Sequence, residues 1–228
     1  MFDIIIIGAG IVGLAIAKSI AEKTHKSVLV IEKEESFGRG ISSRNSEVIH
    51  SGIYYEPESL KIKYCSRGRD MTYAFCKQYN IWVNRCGKLV VGKSHQSDDL
   101  ELLYKNAQRN NVPDIQILDK SEISALEPKI EADIALQVGC TGIGSAHDLM
   151  AAFYKISQEG DHDYLFKSKV VGADSKSDGY EISIENAQGE LEKVSAEWVI
   201  NAAGLESDMV AQMLGGDYPT LRYSKGCY

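Results

Sequence analysis

Three glycines and one carboxylate are the first residues of this chain whose spacing implies chemistry. Gly8, Gly10 and Gly13 form a G-x-G-x-x-G turn, and Glu32 stands at the end of the next apolar run. In such a turn the first glycine lets the backbone reverse tightly, the second lets a diphosphate approach the main chain, and the third lets helix and strand pack closely. The helix N-terminus behind them offers N–H groups and a partial positive charge to phosphate oxygens. An acid at position 32 accepts hydrogen bonds from ribose hydroxyls, which argues against a 2′-phosphorylated ligand. The plain alternative for Glu32 is a solvated strand-end acid beside Lys33, Glu34 and Glu35. By itself the glycine pattern is weak evidence.

The order of the surrounding elements makes the motif specific. Residues 3–7 run apolar without polar alternation after Asp3, which is how a strand covered on both faces of a parallel sheet reads. Ile11, Val12, Ala15, Ile16, Ala17 and Ile20 then recur as the sheet-facing residues of a helix. Residues 27–31 return to an apolar run that ends on Glu32. Strand, glycine turn, helix, strand and acid in that order describe a dinucleotide-binding unit.

The 228 residues are 44% hydrophobic, enough for one large domain or two modest ones. A net charge of -7 with no dense Lys/Arg stripe argues against a nucleic-acid partner. The 5 cysteines are odd in number and include no C-x-x-C pair, so neither a disulfide framework nor a cysteine zinc site is expected, and a reducing, cytoplasmic setting fits. No two histidines share metal-ligand spacing with a third ligand, so no metal is expected. The start lacks a basic n-region and a cleavage site, and glycines and charges interrupt the apolar runs. Neither a signal peptide nor a transmembrane span is expected, while peripheral membrane contact stays compatible.

Residues 33–57 form a long connection, part of it helical, that carries Gly38, Arg39, Gly40, Ser42, Ser43, Arg44, Asn45, Ser46, His50 and Gly52. Connections of that length are functional or mobile. The spacing of Leu60, Tyr64, Met71, Phe75 and Tyr79 predicts an amphipathic helix over 60–79, with Gly68 a weak point and Cys65 and Cys76 buried or half-buried. Trp82 and residues 88–91 begin a different layer. A helix follows over 97–110 on Leu100, Leu103, Tyr104 and Ala107, and Asp119 with Glu122 reads as a capping box for a short helix that Pro128 ends. Residues 134–138 predict a strand, Gly139, Gly142 and Gly144 a loop, and 147–159 a helix with Leu149, Ala152, Phe153 and Ile156 inward. Residues 166–172, 180–185 and 191–196 predict three antiparallel strands with one wet face. Val199 and Ile200 lead back to the main sheet at Asn201, Ala202, Ala203 and Gly204, whose small side chains let a cofactor come close.

On residues 3–14, 28–33, 42–55, 86–90, 126–128, 141–143 and 199–205, the chain resembles the D-amino-acid-oxidase-like flavoproteins. That group includes glycine oxidase, sarcosine oxidase and glycerol-3-phosphate dehydrogenase, and the resemblance is strongest to its L-2-hydroxyglutarate dehydrogenase or oxidase branch. The sharpest piece runs from Arg44, Asn45 and Ser46 to Ile49, His50, Ser51, Gly52, Ile53, Tyr54 and Tyr55. The resemblance implies a mixed α/β (α+β) fold: a Rossmann-like FAD/NAD(P)-binding domain of the glutathione-reductase type with an incomplete antiparallel-sheet substrate domain. Residues 1–80 and 161–218 would form the first domain, and 81–160 with 219–228 part of the second.

It also implies noncovalent FAD, with the pyrophosphate over Gly8, Gly10, Ile11 and Gly13, the adenosine ribose at Glu32 and Lys33 beside it. Ser42, Ser43, Arg44 and Asn45 would cover the pyrophosphate and ribityl chain, Val170 would clamp adenine through its backbone, and Ala202, Ala203 and Gly204 would wall the site. His50, Ser51 and Gly52 would sit near the isoalloxazine, with Tyr54 or Tyr55 toward the substrate. The implied reaction moves a hydride from C2 of a 2-hydroxy acid to flavin N5, and an amine or amino-acid oxidation on the same fold is the alternative. Imidazole chemistry makes His50 the best base in the chain; a flavin-packing or loop-bonded histidine are the competing roles. Arg44 suits anion or cofactor binding against a plain surface arginine. His147 reads as a helix-start residue, and His25, His95 and His162 as surface residues.

The chain departs from the family pattern at Gly144 and Ser145, where Val-Asp is usual, at Glu206, where an aromatic is common, and in length. Residues 221–228 resemble a segment that opens the return crossing into the substrate domain. The expectation is either completion by a second polypeptide or by self-association, or a non-catalytic FAD-binding remnant.

Overall fold

The structure is a computed structural model in which residues 1–224 and 226 are described. In chain order the elements are β1 (Phe2–Ile7), α1 (Ile11–Lys23), β2 (Val28–Ile31), β3 (Val48–Ile49), α2 (Leu60–Gln78), β4 (Val83–Asn84), β5 (Lys88–Gly92) and α3 (Ser97–Arg109). There follow β6 (Ile115–Asp119), α4 (Lys120–Leu126), β7 (Ile134–Val138), β8 (Gly142–Gly144), α5 (Ala146–Ser157), β9 (His162–Leu165), β10 (Lys169–Lys176), β11 (Gly179–Glu185), β12 (Leu191–Asn201) and α6 (Ser207–Met213). They form two compact units, one of residues Met1–Ser46 with the stretch from Ala146 onward, the other Glu47–Ser145.

The first unit is built on a six-stranded sheet in the order β10-β11-β12-β1-β2-β9. Strand side chains alternate between faces, and both faces here are covered. Ile5, Ile7, Leu29 and Ile31 pack on one side with Ile182, Ile184 and Val210, while Ile6, Val28 and Val30 pack on the other with Leu14 and Ala17 of α1 and Met150 of α5. That double cover is why β1 and β2 read as unbroken apolar runs.

β12 is one continuous strand with two kinds of partner. Residues 191–196 pair antiparallel with β11, and residues 196–201 pair parallel with β1. The expected antiparallel trio is thus fused to the main sheet, with β10 shifted toward the C-terminus from the expected 166–172. β9 and α6 have no counterpart in the sequence reading. β9 pairs parallel with β2 although it reads His162, Asp163, Tyr164, Leu165, too polar to signal a strand.

In the second unit, β5, β7 and β6 form an antiparallel sheet. Val90, Leu136 and Val138 meet Leu100 and Ala107 of α3 on one face, and Leu89, Leu118 and Ala135 meet Ile123 of α4 on the other. The capping box is present, with Asp119 Oδ1 accepting from Glu122 N at 2.9 Å and Glu122 Oε2 accepting from Asp119 N at 2.8 Å. A small sheet orders β3-β8-β4. β8 replaces the expected glycine loop because its glycines give neighbours close approach: a Cβ on Gly142 would lie 2.3 Å from Tyr73 Oη and 2.5 Å from Asn84 O.

One expectation needs correction. In α2 the inward residues are Ile62, Arg69 and Cys76, whereas Leu60, Tyr64, Met71 and Tyr79 are exposed. The helix carries two stripes, and the inward one packs Ile62 over Gly52 and Arg69 and Tyr73 against Cys140. The compact units have their own boundaries, after Ser46 and after Ser145. Residues 47–80 fall with β8, which pairs β3, and residues 146–160 fall with α1, on which α5 packs. Of the expected crossing at 221–228, residues 225, 227 and 228 lie outside the described residues, Cys227 among them; Leu221 N donates to Asp208 Oδ2 at 2.8 Å.

Candidate functional site

The first unit gathers Gly8, Gly10, Gly13, Ile11, Glu32 and Ser42 around the start of α1. Gly8 has φ +106, and a Cβ there would lie 2.5 Å from Ala202 O. A Cβ on Gly13 would lie 2.0 Å from Gly8 O, so no side chain fits between turn and helix. On Gly10 it would meet only Ser42 Oγ, at 3.1 Å. The turn is therefore closed against backbone at Gly8 and Gly13, while at Gly10 the one close neighbour is the Ser42 hydroxyl.

α1 begins without a side-chain cap from Gly10 and without an acid in its first turn, so its N-terminal partial charge is left to groups from other segments. Ser42 Oγ accepts from Ile11 N at 2.9 Å, which brings the Ser42–Ser43 turn over the same terminus. Glu32 is half-buried, and its two oxygens accept from Ala9 N at 2.8 Å and Glu34 N at 2.9 Å. A carboxylate has about four acceptor positions, so capacity for two hydroxyls is left. This donor and acceptor set fits a diphosphate joined to a ribose.

Around that turn the other expected residues take distinct places. Lys33 is ion-paired with Glu206, so the acid that departs from the family pattern ties the end of β2 to the turn before α6. Ser43 Oγ donates to Gly40 O at 3.0 Å, and Asn45 Nδ2 donates to Ser42 O at 2.9 Å; both hold the turn's own backbone. Arg44 is exposed, its Nη1 donating to Ser43 O at 3.1 Å. Val170 is buried in the core and pairs with Ile184, next to a bulge before Gly172 on the edge strand β10. Ala202 N donates to Ile7 O at 2.9 Å, Ala203 N to Asn201 Oδ1 at 3.2 Å, and Gly204 has φ +59 with open space where a Cβ would stand.

In the second unit the segment from His50 to Tyr55 is held from two helices. Gly52 has φ +92, and a Cβ there would lie 2.4 Å from Ile62 Cδ1 of α2. Cys65 Sγ donates to His50 O at 3.4 Å. From α3, Asn106 Nδ2 donates to Ile53 O at 2.8 Å and Tyr55 O at 3.0 Å, and from the helix end Asn110 Nδ2 donates to Gly52 O at 3.1 Å and Tyr55 O at 2.8 Å. Ser51 is buried, with its hydroxyl unpartnered, while Tyr54 is exposed and Tyr55 half-buried. His50 is exposed at the surface, yet the partial desolvation of its ring, and secondarily the Lys88 ammonium, push the imidazole below its ordinary 6.5, which favours the neutral form. Lys88 Nζ lies 4.7 Å from the Tyr54 ring centroid.

Lys88, Asn106 and Asn110 escaped the sequence reading as site residues. The asparagines sit four positions apart on one helix face, a spacing that carries a signal only once their acceptors are known. His147 lies in the first turn of α5, exposed, its ring stacked 6.2 Å from Phe37. His25 and His95 are exposed, but His162 is half-buried with Nδ1 unpartnered because β9 draws it into the sheet edge. Among the described residues, no group of three His, Cys, Asp or Glu could hold a metal, and no helix is long and apolar enough to cross a membrane.

The profile of the family described as FAD dependent oxidoreductase matches residues 3–228. The chain is 35% identical over 249 residues to the mitochondrial L-2-hydroxyglutarate dehydrogenase of Homo sapiens, covering 100% of this chain and 53% of that protein. It is 31% identical over 257 residues to the enzyme of the same name from Arabidopsis thaliana, covering 99% and 53%. The chain thus spans about half the length of the curated relatives it matches. Among solved structures, glycine oxidase from Geobacillus kaustophilus superposes with a TM-score of 0.82 at 22% identity, covering 94% of this chain and 58% of that one. Dithionite-reduced L-alpha-glycerophosphate oxidase from Mycoplasma pneumoniae with FAD bound gives 0.83 at 23%, covering 93% and 56%. These likenesses show the mixed α/β fold.

Proposed function

This chain belongs to the FAD dependent oxidoreductase (DAO) family, and from that premise we propose that it serves the oxidation of a 2-hydroxy acid of the 2-hydroxyglutarate type. The observation that carries the reading is His50, an imidazole kept neutral on a segment that Asn106 and Asn110 clamp in place. Similarity along the whole chain to proteins named L-2-hydroxyglutarate dehydrogenase supports the substrate class.

FAD, when bound, supplies the hydride acceptor at flavin N5. Gly8, Gly10, Ile11, Gly13, Ser42 and Ser43 would hold its diphosphate, Glu32 and Lys33 its adenosine ribose, Arg44 and Asn45 the linking chain, and Val170 the adenine. Ala202, Ala203 and Gly204 would give the small-residue wall, and His50, Ser51 and Gly52 the ring end. His50 accepts the proton of the substrate hydroxyl as the C2–H bond breaks, so the product is a 2-oxo acid. Tyr54 and Tyr55 flank the substrate. A reducing, cytoplasmic setting remains part of this proposal, whereas the relatives named above are mitochondrial.

The test is turnover by the FAD-loaded protein, alone and mixed with any polypeptide that carries the other half of the relatives' length. 2-Hydroxyglutarate should exceed glycine, sarcosine and proline by about 10⁴-fold in kcat/KM, the scale set when a site hydrogen-bonds one substrate group and not another. A preference for the amines would replace this reading with amine oxidation, and FAD uptake without any turnover would leave a non-catalytic binding subunit.

A further inference from the structure

Lys88 is placed where a cation is costly. Alternation along β5 sets it on the same face as Val90, which packs into the apolar cluster of Ile53, Leu100 and Leu136, and Lys88 itself is half-buried. Its Nζ rests 4.7 Å from the Tyr54 ring centroid, a cation-π contact that offsets part of the desolvation.

No carboxylate forms an ion pair with it among the described residues. The acids of this unit that do pair go elsewhere: Asp70 with Arg69, Asp114 with Arg85, Asp133 with Lys120 and Glu101 with Lys105. The ionisable groups facing Lys88 are Cys65 from α2, Cys140 after β7, His50 and the Tyr54 phenol. Burial pushes both thiols and the phenol up, so at neutral pH these three carry no charge, and His50 is neutral as well. Arg69, the next cation in the cluster, has Asp70 at 2.8 Å. The cluster therefore holds one uncompensated positive charge beside a neutral base, and burial correspondingly pushes the Lys88 ammonium below its ordinary range.

We infer that Lys88, seated on the Tyr54 ring in the same unit as His50, binds a carboxylate of the substrate, an assignment that rests on the 2-hydroxy acid reading. A single ammonium without an arginine fork or a helix N-terminus suits one carboxylate rather than a phosphate. The arrangement also couples binding to basicity. A carboxylate on Lys88 cancels the field that helps depress His50, so the base strengthens when an anionic substrate arrives.

The experiment measures calorimetric binding of glutarate, an unreactive dicarboxylate, to the FAD-loaded protein, together with the pH titration of the His50 imidazole by NMR. Lys88→Gln should weaken glutarate by about 10- to 100-fold, the scale of one charge-assisted hydrogen bond. It should leave the uncharged glutaramide unchanged and raise the His50 pKa of the ligand-free protein. Lys88→Arg should keep most of the affinity, which separates loss of charge from misfolding. Wild-type affinity in Lys88→Gln, or no glutarate binding by the wild type, overturns the assignment. Should glutarate bind through Lys88 while 2-hydroxyglutarate leaves the flavin oxidised, the functional reading fails and the carboxylate site stands.

Discussion

Gly13 is the residue with least freedom to change, because a Cβ there would lie 2.0 Å from the backbone oxygen of Gly8. Gly13→Ala must push α1 off the turn. We expect a loss of stability of at least about 1 kcal/mol, as for a substitution whose native conformation cannot accept it. FAD should be lost on gel filtration, and urea denaturation together with the visible spectrum checks both. His50 makes the pH prediction. Its folded pKa lies below the ordinary 6.5, so the unfolded chain binds more protons in the window between the two. Stability therefore rises with pH through that window, and the contribution is lost as pH falls through the folded pKa. The acid limb of kcat/KM should follow the same depressed pKa, and in His50→Gln both effects should vanish. The glycines and Glu32 were legible in sequence because their chemistry is fixed by local spacing. Lys88, Asn106 and Asn110 were not, since what singles them out is an absent counterion or a distant carbonyl.

At the scale of elements, α2 is where the sequence pattern misled. Its apolar residues occupy two stripes, and the larger side chains of Leu60, Tyr64 and Met71 advertise the exposed one. Ile62→Ala should cost about 2–4 kcal/mol, as for a buried aliphatic truncation. Met71→Gln should stay within about 0.5 kcal/mol, as at an exposed site. Equilibrium urea denaturation decides, and the reverse ranking would restore the stripe read from the sequence. β1, α1 and β2 were legible because local pattern and tertiary environment agree there. β8, β9 and the junction within β12 were hidden because short or polar strands are specified by their partners. Ile134 to Val138 had its own apolar run; His162 to Leu165 had only β2 to pair with.

At the scale of the whole molecule, the chain carries the glycine turn with Glu32 in one compact unit and the His50 segment in the other, over about half the length of its curated relatives. The family and its cofactor were legible because the diagnostic residues are spread from Gly8 to Gly204. The division into units was not, since it depends on α5 packing against α1 and β3 pairing with β8. The central claim, hydride removal from C2 of a 2-hydroxy acid with His50 taking the hydroxyl proton, is tested by anaerobic mixing. The FAD-loaded protein, alone and with any polypeptide that carries the relatives' other half, meets 2-hydroxyglutarate bearing hydrogen or deuterium at C2, and loss of flavin absorbance is followed. The account predicts bleaching that is slower with deuterium and much slower in His50→Gln. Bleaching by glycine or sarcosine with none by 2-hydroxyglutarate would contradict it.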